Sequence, residues 1–538
     1  MLNLLPSNPS PEFNNKIKNY TNLFLNTLSI VILCSFCALI IQRTFSQVII
    51  DHVEGQVASV SWAFIDQNYP LYHSFDNPER YTIVYGPLLY IITGIFLKLF
   101  SPNIWVLKLP TALALLFSLV CLFAVIQKIQ NSKTALRMTA FISLIILCFG
   151  TVYGHLLFLI RSDALIFLFT CLGLWAVIQK NKVHALILLS LSFGISFNLK
   201  ITAVLYFLPF YLLLFTQHGL TLTLVSGFAG IILGLMPFLH PQISWINYIK
   251  WLIVTTNHGF YFHLLLDNLK TTFYLFLPII LITVSLWMEN KPQFHKVIKS
   301  LQFYFYVLLF STAATIVIAS KGGAGSHHLI PLIPGILYPF LLLFKIETPL
   351  DYHKLLSQNS VTLPNTRISR IISIIIALTL IVFTANHAGI KGVFVAQYYS
   401  TDVSEVINDL HWILSSYPNQ TIGMGYAKHE QYALTHYRSL LVFAGNPLLI
   451  DGAALMDMQT DGIEIPQRTL EDLSSCRNQI WLIPKEGEQD GEPFAQLNYY
   501  LPNPPLFSEE FRQTFLENYE PRRQSQFFTL WFCKNNSE

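Results

Sequence analysis

The sequence predicts a polytopic α-helical membrane protein with about eleven spans, juxtamembrane helices in its first outer loop, and a soluble α/β domain at its C-terminus. Three observations carry this. Hydrophobic residues make up 53% of the 538 residues and charged residues only 12%, roughly half the usual ~25% of soluble domains. Mean hydropathy is +0.49, too high for one large soluble core, which still needs a polar surface. Apolar runs close to the ~20 residues that span a bilayer recur as far as residue 389 and then stop. The same figures exclude disorder, coiled coil, collagen and a small disulfide scaffold. A net charge of +3 is too small to suggest a nucleic-acid partner.

Residues 1–22 form a polar N-terminal segment, with Lys16 and Lys18 just before the run Leu23 to Ile41. That run ends in Gln42-Arg43 without a small-residue cleavage pattern, so it reads as an uncleaved first helix. The two lysines place its start in the cytoplasm. Further apolar runs cover about 105–127, 138–158, 164–179, 183–197, 201–216, 220–239, 272–288, 302–320, 329–344 and 370–389. One more, 83–100, is decided by the positive-inside rule. If it spans, Lys128, Lys133, Arg137, Lys180 and Lys182 fall outside. If it dips in or lies on the outer interface, those residues turn inward with Lys291, Lys296, Lys299, Lys345, Lys354, Arg367 and Arg370. The second arrangement is expected, and Gly86-Pro87 suits the start of a juxtamembrane helix.

The runs 183–197 and 201–216 are short and meet at Asn198-Leu199-Lys200. A turn between short helices sits below the membrane surface and lines a wet cavity. The spans therefore make a membrane module over 23–390, with its first outer loop at 43–104, followed by an extracytoplasmic α/β domain over 391–538. In that domain Thr401 to Ser416 reads as a helix. Thr421 to Tyr426, Leu440 to Ala444, Gln479 to Pro484 and Phe527 to Cys533 read as strands. Cys34, Cys37, Cys121, Cys148 and Cys171 fall in spans as packing residues, whereas Cys476 and Cys533 can pair if their strands are neighbours in an oxidising compartment.

This topology gathers ionisable groups at the outer face. They are Asp51 and Glu54, Arg161 and Asp163, Lys200, His240, His258, His263, Asp267, Lys321 and the pair His327-His328. Ionisable residues at membrane depth are costly and usually functional. Each has a plainer reading. Asp51 and Glu54, on one face if 51–66 is helical, also fit a solvated helix start. Asp163 also fits an N-cap or an ion pair with Arg161, Lys200 a snorkelling lysine, and the histidines interfacial positions. No histidine pair has strong metal-site spacing.

An outer-facing site has no cytosolic nucleotide pool, so group transfer there needs a donor that crosses the bilayer, such as a polyprenyl-phosphate sugar. Transfer needs a carboxylate to take the acceptor proton and cations where the leaving phosphate gathers charge. Asp51 suits the first task; Lys200, Arg161 and Lys321 or a histidine suit the second. A transporter can use the same charges.

The residues also resemble the GT-C superfamily of membrane glycosyltransferases, in its protein O-mannosyltransferase and aminoarabinose-transferase-like branch (glycosyltransferase family 39 and bacterial relatives). The resemblance lies in an ordered set: Asp51-x-x-Glu54-Gly55 after the first span, Tyr85-Gly-Pro87-Leu-Leu-Tyr90, Arg161-Ser-Asp163, Lys200 in a short helical pair, and a C-terminal outer domain. It covers about 20–390. The resemblance implies that Asp51 is the essential first-loop acid with Glu54 beside it, that Asp163 is the second-loop acid, and that Lys200 meets the lipid phosphate. It also places His258 where some relatives hold a phosphate-contacting or metal-binding histidine. The expected site is thus Asp51, Glu54 and Asp163 as catalytic acids, Lys200, Arg161, Lys321 and His258 around the donor phosphate, and Tyr85, Pro87 and His327 along the cleft. No metal ligand is assigned and no cofactor is certain, with a divalent cation left open. Many relatives carry adjacent Asp-Glu where this chain has acids three apart.

The function so implied is an integral-membrane glycosyltransferase of the plasma (inner) membrane. It moves a sugar from a polyprenyl-phosphate donor to a lipid, glycan or protein acceptor on the extracytoplasmic side, with inversion. The alternatives are a transporter or flippase, which predicts a repeat between halves, and a receptor or scaffold, which leaves Lys200 and Asp163 unexplained.

Overall fold

The computed structural model describes residues 11–81, 85–148, 158–288, 292–347, 364–486 and 491–534. Helices dominate. In chain order they are α1 (Pro11–Phe45), α2 (His52–Ile65), α3 (Pro87–Phe100), α4 (Ile104–Ile129), α5 (Ser132–Cys148), α6 (Ser162–Val177) and α7 (Lys182–Leu199). Then come α8 (Val204–His218), α9 (Leu220–Leu235), α10 (Trp245–Thr256), α11 (Phe262–Met288), α12 (Pro292–Ala319), α13 (Ile333–Glu347) and α14 (Pro364–Tyr399). Among the described residues, nine helices are long and apolar enough to cross a membrane. The chain is a multi-pass membrane protein.

Nine is fewer than the eleven spans expected. The run 138–158 appears as α5, and its remainder, 149–157, lies outside the described residues, as do Lys291 and Lys354. The run 164–179 appears as α6, whose 16 residues reach only about 24 Å at 1.5 Å per residue. Helix α3 has 14 residues, about 21 Å, too short for a ~30 Å core. Pro87 occupies its first turn, where a missing N–H costs nothing.

Two close approaches shape the region around Lys200. Helices α7 and α9 meet through glycines: a Cβ on Gly194 would lie 2.6 Å from the Gly230 carbonyl oxygen. Ser190 and Ser226 hydroxyls bridge the same pair at 3.0 Å. At the end of α7, Asn198 donates to the Gly234 carbonyl at 2.6 Å and accepts from the Leu88 N–H at 2.8 Å. The Gly86 N–H donates to the Leu199 carbonyl at 3.1 Å. A Cβ on Gly86 would overlap the Asn198 carbonyl. The Tyr85-Gly-Pro87 stretch is therefore pinned against the lysine turn.

The segment 43–104 holds the short α3 and, before it, α2, which is buried from Glu54 to Phe64. Helix α2 packs against a later stretch of chain, the 3₁₀ segment His429–Tyr437 and the helix Arg438–Phe443. Three buried charges anchor its entry. Glu54 accepts from Arg43 at 3.3 Å, from the Ile160 N–H at 3.1 Å and from the Ile50 N–H at 2.9 Å. Lys108 donates to the Arg43, Ser46 and Val48 carbonyls at 3.3, 2.6 and 2.8 Å.

The chain after α14 continues with α15 (Ser404–Ser416), α16 (Arg438–Phe443), α17 (Gly452–Thr460), α18 (Gln467–Ser474) and α19 (Glu509–Asn518). A four-stranded sheet, in the order β1-β2-β4-β3, comprises β1 (Ile422–Met424), β2 (Ile480–Pro484), β3 (Tyr519–Gln524) and β4 (Phe528–Cys533). β1 and β2 are parallel; the other pairs are antiparallel. Leu440 to Ala444, read as a strand, lies largely in α16: its apolar run is short, and packing on α2 decides its state. β3 carries Pro521 with an adjacent register shift, tolerable only because it is an edge strand. Cys476 and Cys533 form a disulfide with a Cα–Cα distance of 6.0 Å, while the other five cysteines are free.

Two outcomes follow from these contacts. Glu54→Ala leaves Arg43 buried and unpaired, and thermal unfolding in detergent should show a loss of about 3–5 kcal/mol. Cys476→Ser opens a cross-link spanning 57 residues; a loss of about 4 kcal/mol is expected on loop-entropy grounds. Non-reducing peptide mapping of the parent protein should recover the 476–533 pair, and recovery of both thiols free contradicts the pairing.

Candidate active site

Asp51 is the N-cap of α2, where its carboxylate accepts from the Val53 N–H at 3.2 Å. The same Oδ1 faces His52 Nδ1 at 2.8 Å, and Oδ2 pairs with Arg161. Burial by itself would raise the Asp51 pKa, but His52, Arg161 and the Val53 N–H together outweigh it. They hold the group well below the ordinary carboxylate value. Glu54, one turn on, does not share this surface: its carboxylate turns to Arg43 and is 1% exposed.

Arg161 is the N-cap residue of α6 and Asp163 lies in that helix's first turn, where the helix dipole favours an anion. Asp163 Oδ1 lies 3.5 Å from Lys200 Nζ. Lys200 follows α7 in extended conformation, and its Nζ lies 3.3 Å from His328 Nε2 and 5.9 Å from the centre of the Tyr85 ring. His327 and His328 occupy a buried 3₁₀ segment, Ser326–Leu332, leading into α13. Five stretches of chain far apart in sequence thus bring Asp51, Tyr85, Arg161 with Asp163, Lys200 and the two histidines together. Pro87 is buried as the first residue of α3.

Several polar atoms here are buried without a hydrogen-bond partner among the described residues. They are Asp163 Oδ2, Ser162 Oγ, His327 Nδ1 and His328 Nδ1. Such atoms are expensive unless a ligand or water completes them.

His258 and Lys321 form a second group. His258 Nε2 lies 3.0 Å from Asp457 Oδ1, and its Nδ1 faces the Gly322 carbonyl at 3.3 Å. Burial lowers the His258 pKa, but Asp457 and the carbonyl outweigh it and raise the group above its usual value. Lys321 Nζ donates to the Thr256 carbonyl at 2.9 Å. Tyr500 stacks near His258, with ring centres 5.0 Å apart. Burial raises the Tyr499 and Tyr500 phenols, and the charges of Asp51 and Asp457 add to it, so this tyrosine pair lies within electrostatic reach of both groups.

Sequence reasoning left His52 out of the site, although it adjoins Asp51, and named His327 rather than His328 as a cleft residue. It also missed Tyr432, His436 and Tyr499-Tyr500, whose position depends on tertiary docking with no local signal. Asp51 and Asp163 already face cations, and no three His, Cys, Asp or Glu side chains among the described residues gather as a metal site. This donor set does not fit a metal ion.

Residues 84–245 match the family of dolichyl-phosphate-mannose-protein mannosyltransferases. That segment includes Tyr85, Arg161, Asp163 and Lys200. A search of curated proteins finds no match. The fold is similar to that of ArnT from Cupriavidus metallidurans. Against the crystal structure bound to undecaprenyl phosphate, identity is 12% and the TM-score 0.56, covering 95% of this chain and 97% of that one. Against the apo crystal structure the values are 10% and 0.51, covering 96% and 98%. The chain therefore has an ArnT-like fold, and its segment 84–245 matches that mannosyltransferase family.

Proposed function

We propose that the protein transfers a sugar from a polyprenyl-phosphate donor to an acceptor hydroxyl, with inversion at the anomeric carbon, at the extracytoplasmic face of the plasma membrane. The observation that carries this reading is the largely buried cluster of two cations and two carboxylates, Lys200–Asp163 and Arg161–Asp51, beside polar atoms that have no hydrogen-bond partner among the described residues. The ArnT structure bound to undecaprenyl phosphate adds a precedent for a lipid phosphate in this fold.

The chemistry follows from the residues. Lys200 and Arg161 are fixed donors for the phosphate as the bond to the anomeric carbon lengthens and charge builds on its bridging oxygen. Exchanging one carboxylate partner for a phosphate oxygen needs little movement, because the Lys200–Asp163 contact is long at 3.5 Å. His328 sits against Lys200 Nζ. With Nε2 accepting from the ammonium, its Nδ1 carries the proton and adds a neutral donor to the same anion. The acceptor hydroxyl enters from the Asp51 end and loses its proton there. Direct displacement then gives inversion in a single step. Glu54 holds the first loop and takes no part in bond making. His258 and Lys321 line the same mouth from the side of the tyrosine pair.

Purified protein incubated with a panel of polyprenyl-phosphate sugars and candidate acceptors should release polyprenyl phosphate from one of them. No release from any member contradicts the proposal. Asp51→Asn should abolish transfer while the protein remains folded in the membrane; full activity in that variant removes Asp51 from the reaction. Lys200→Ala should lower turnover by about 10²–10³-fold, the range found when one fixed charge-stabilising donor is removed, and should weaken binding of polyprenyl phosphate measured by calorimetry.

A further inference from the structure

We infer that His52, oriented by Asp51, is the group that takes the proton from the acceptor hydroxyl in this protein. The inference rests on the transferase reading above and assigns one of its steps to a specific atom.

The Asp51 carboxylate already has three partners. Its Oδ1 accepts from His52 Nδ1 at 2.8 Å and from the Val53 N–H at 3.2 Å, and its Oδ2 is paired with Arg161. A carboxylate bound by an imidazole, a guanidinium and a backbone N–H has little affinity left for a proton, and low affinity makes a poor general base. The same contact fixes the imidazole. Nδ1 points at Asp51 and holds the hydrogen, so Nε2 carries the free lone pair. A base held in one tautomer by a carboxylate, with its other nitrogen turned away, is a recurrent solution for activating a hydroxyl.

Location supports the role. His52 is the first residue of α2; its side chain and that of Asp51 are each 17% exposed, whereas Asp163 is 2% exposed. The ring faces the late 3₁₀ segment, with Tyr432 at 6.1 Å and His436 at 6.4 Å between ring centres. His436 does not compete for the proton: burial, together with His52, pulls its pKa down to about 3. The other titratable groups facing this corner are Asp51 and Arg161, Tyr85 and Tyr90 beside α3, and Arg438, which is paired with Asp451. Tyr499 and Tyr500 stand within reach of Asp51. An acceptor held between α2 and this aromatic wall lies against the His52 ring.

The step balances. The acceptor oxygen forms a bond to the anomeric carbon, and its proton passes to His52 Nε2. The bond from the anomeric carbon to the phosphate oxygen breaks, and its electron pair leaves with polyprenyl phosphate beside Lys200 and Arg161. The imidazolium is stabilised by Asp51 and returns its proton to water.

The test uses the full-length protein in detergent, with the polyprenyl-phosphate sugar that the parent protein turns over, and His52→Asn. Asparagine keeps an N–H near the Nδ1 position for Asp51 and removes the base. The expected result is a fall in kcat of about 10²–10⁴-fold, loss of the acid limb of the kcat/KM profile, and unchanged affinity for polyprenyl phosphate. Exogenous imidazole should restore part of the turnover of His52→Ala. Parent-like kcat with the acid limb intact overturns the inference, and so does a parallel loss of turnover and donor affinity, which marks a structural role. If the parent protein itself releases no polyprenyl phosphate, the transferase reading fails and the inference falls with it.

Discussion

The buried carboxylate of Glu54 is the constraint on which the site depends. It ties the end of α1 through Arg43, the entry to α2 through the Ile50 N–H, and the approach to α6 through the Ile160 N–H. Lys108 closes the same corner by donating to three carbonyls at the end of α1. A charge with no water around it is tolerated only when its partners sit in fixed places. Asp51, three residues before Glu54, and Arg161, one residue after Ile160, are therefore held in register with each other. Asp51 thus inherits its position from a neighbour whose own carboxylate turns to a different cation.

Around this anchor the cleft separates two electrostatic tasks. Arg161 and Lys200 supply positive charge from the start of α6 and the end of α7, where helix ends leave backbone free to turn. The close glycine-mediated contact of α7 with α9, and the grip of Asn198 on α3, keep the lysine turn from drifting. In the proposed transfer, Asp51 and His52 form the side at which the acceptor proton leaves. Each cation already has an anionic partner, so the site carries little net charge.

Much of this could be read from the chain itself. Long apolar runs, the Arg161-Ser-Asp163 and Asp51 positions at their ends, and Lys200 between two short helices all stand out, because charge in an apolar context is conspicuous. The short α3 followed from Gly86-Pro87 and the loop charges. Other features had no local signal. Glu54 resembled a partner of Asp51 because a helix places them one turn apart, yet the N-cap geometry sends the two carboxylates to different cations. Leu440 to Ala444 looked like a strand until it met α2. β3 was invisible because an edge strand bearing Pro521, Arg522 and Arg523 lacks alternation. Tyr432 and His436 join the site only through docking of segments nearly 400 residues apart, which no windowed pattern reports.

That docking has a consequence for how the protein comes into being. The first loop and the late chain interlock through the Arg80 backbone with Leu449 and Asp451, through Arg477 with Glu79 at 2.6 Å, and through Gln67 with the Val442 carbonyl at 2.8 Å. During synthesis the early helices exist long before residues 429–437 arrive. A nascent chain halted after α14 already holds its cations but lacks the wall beside His52. The corner beside His52 is therefore completed last, and until then it stays open to water.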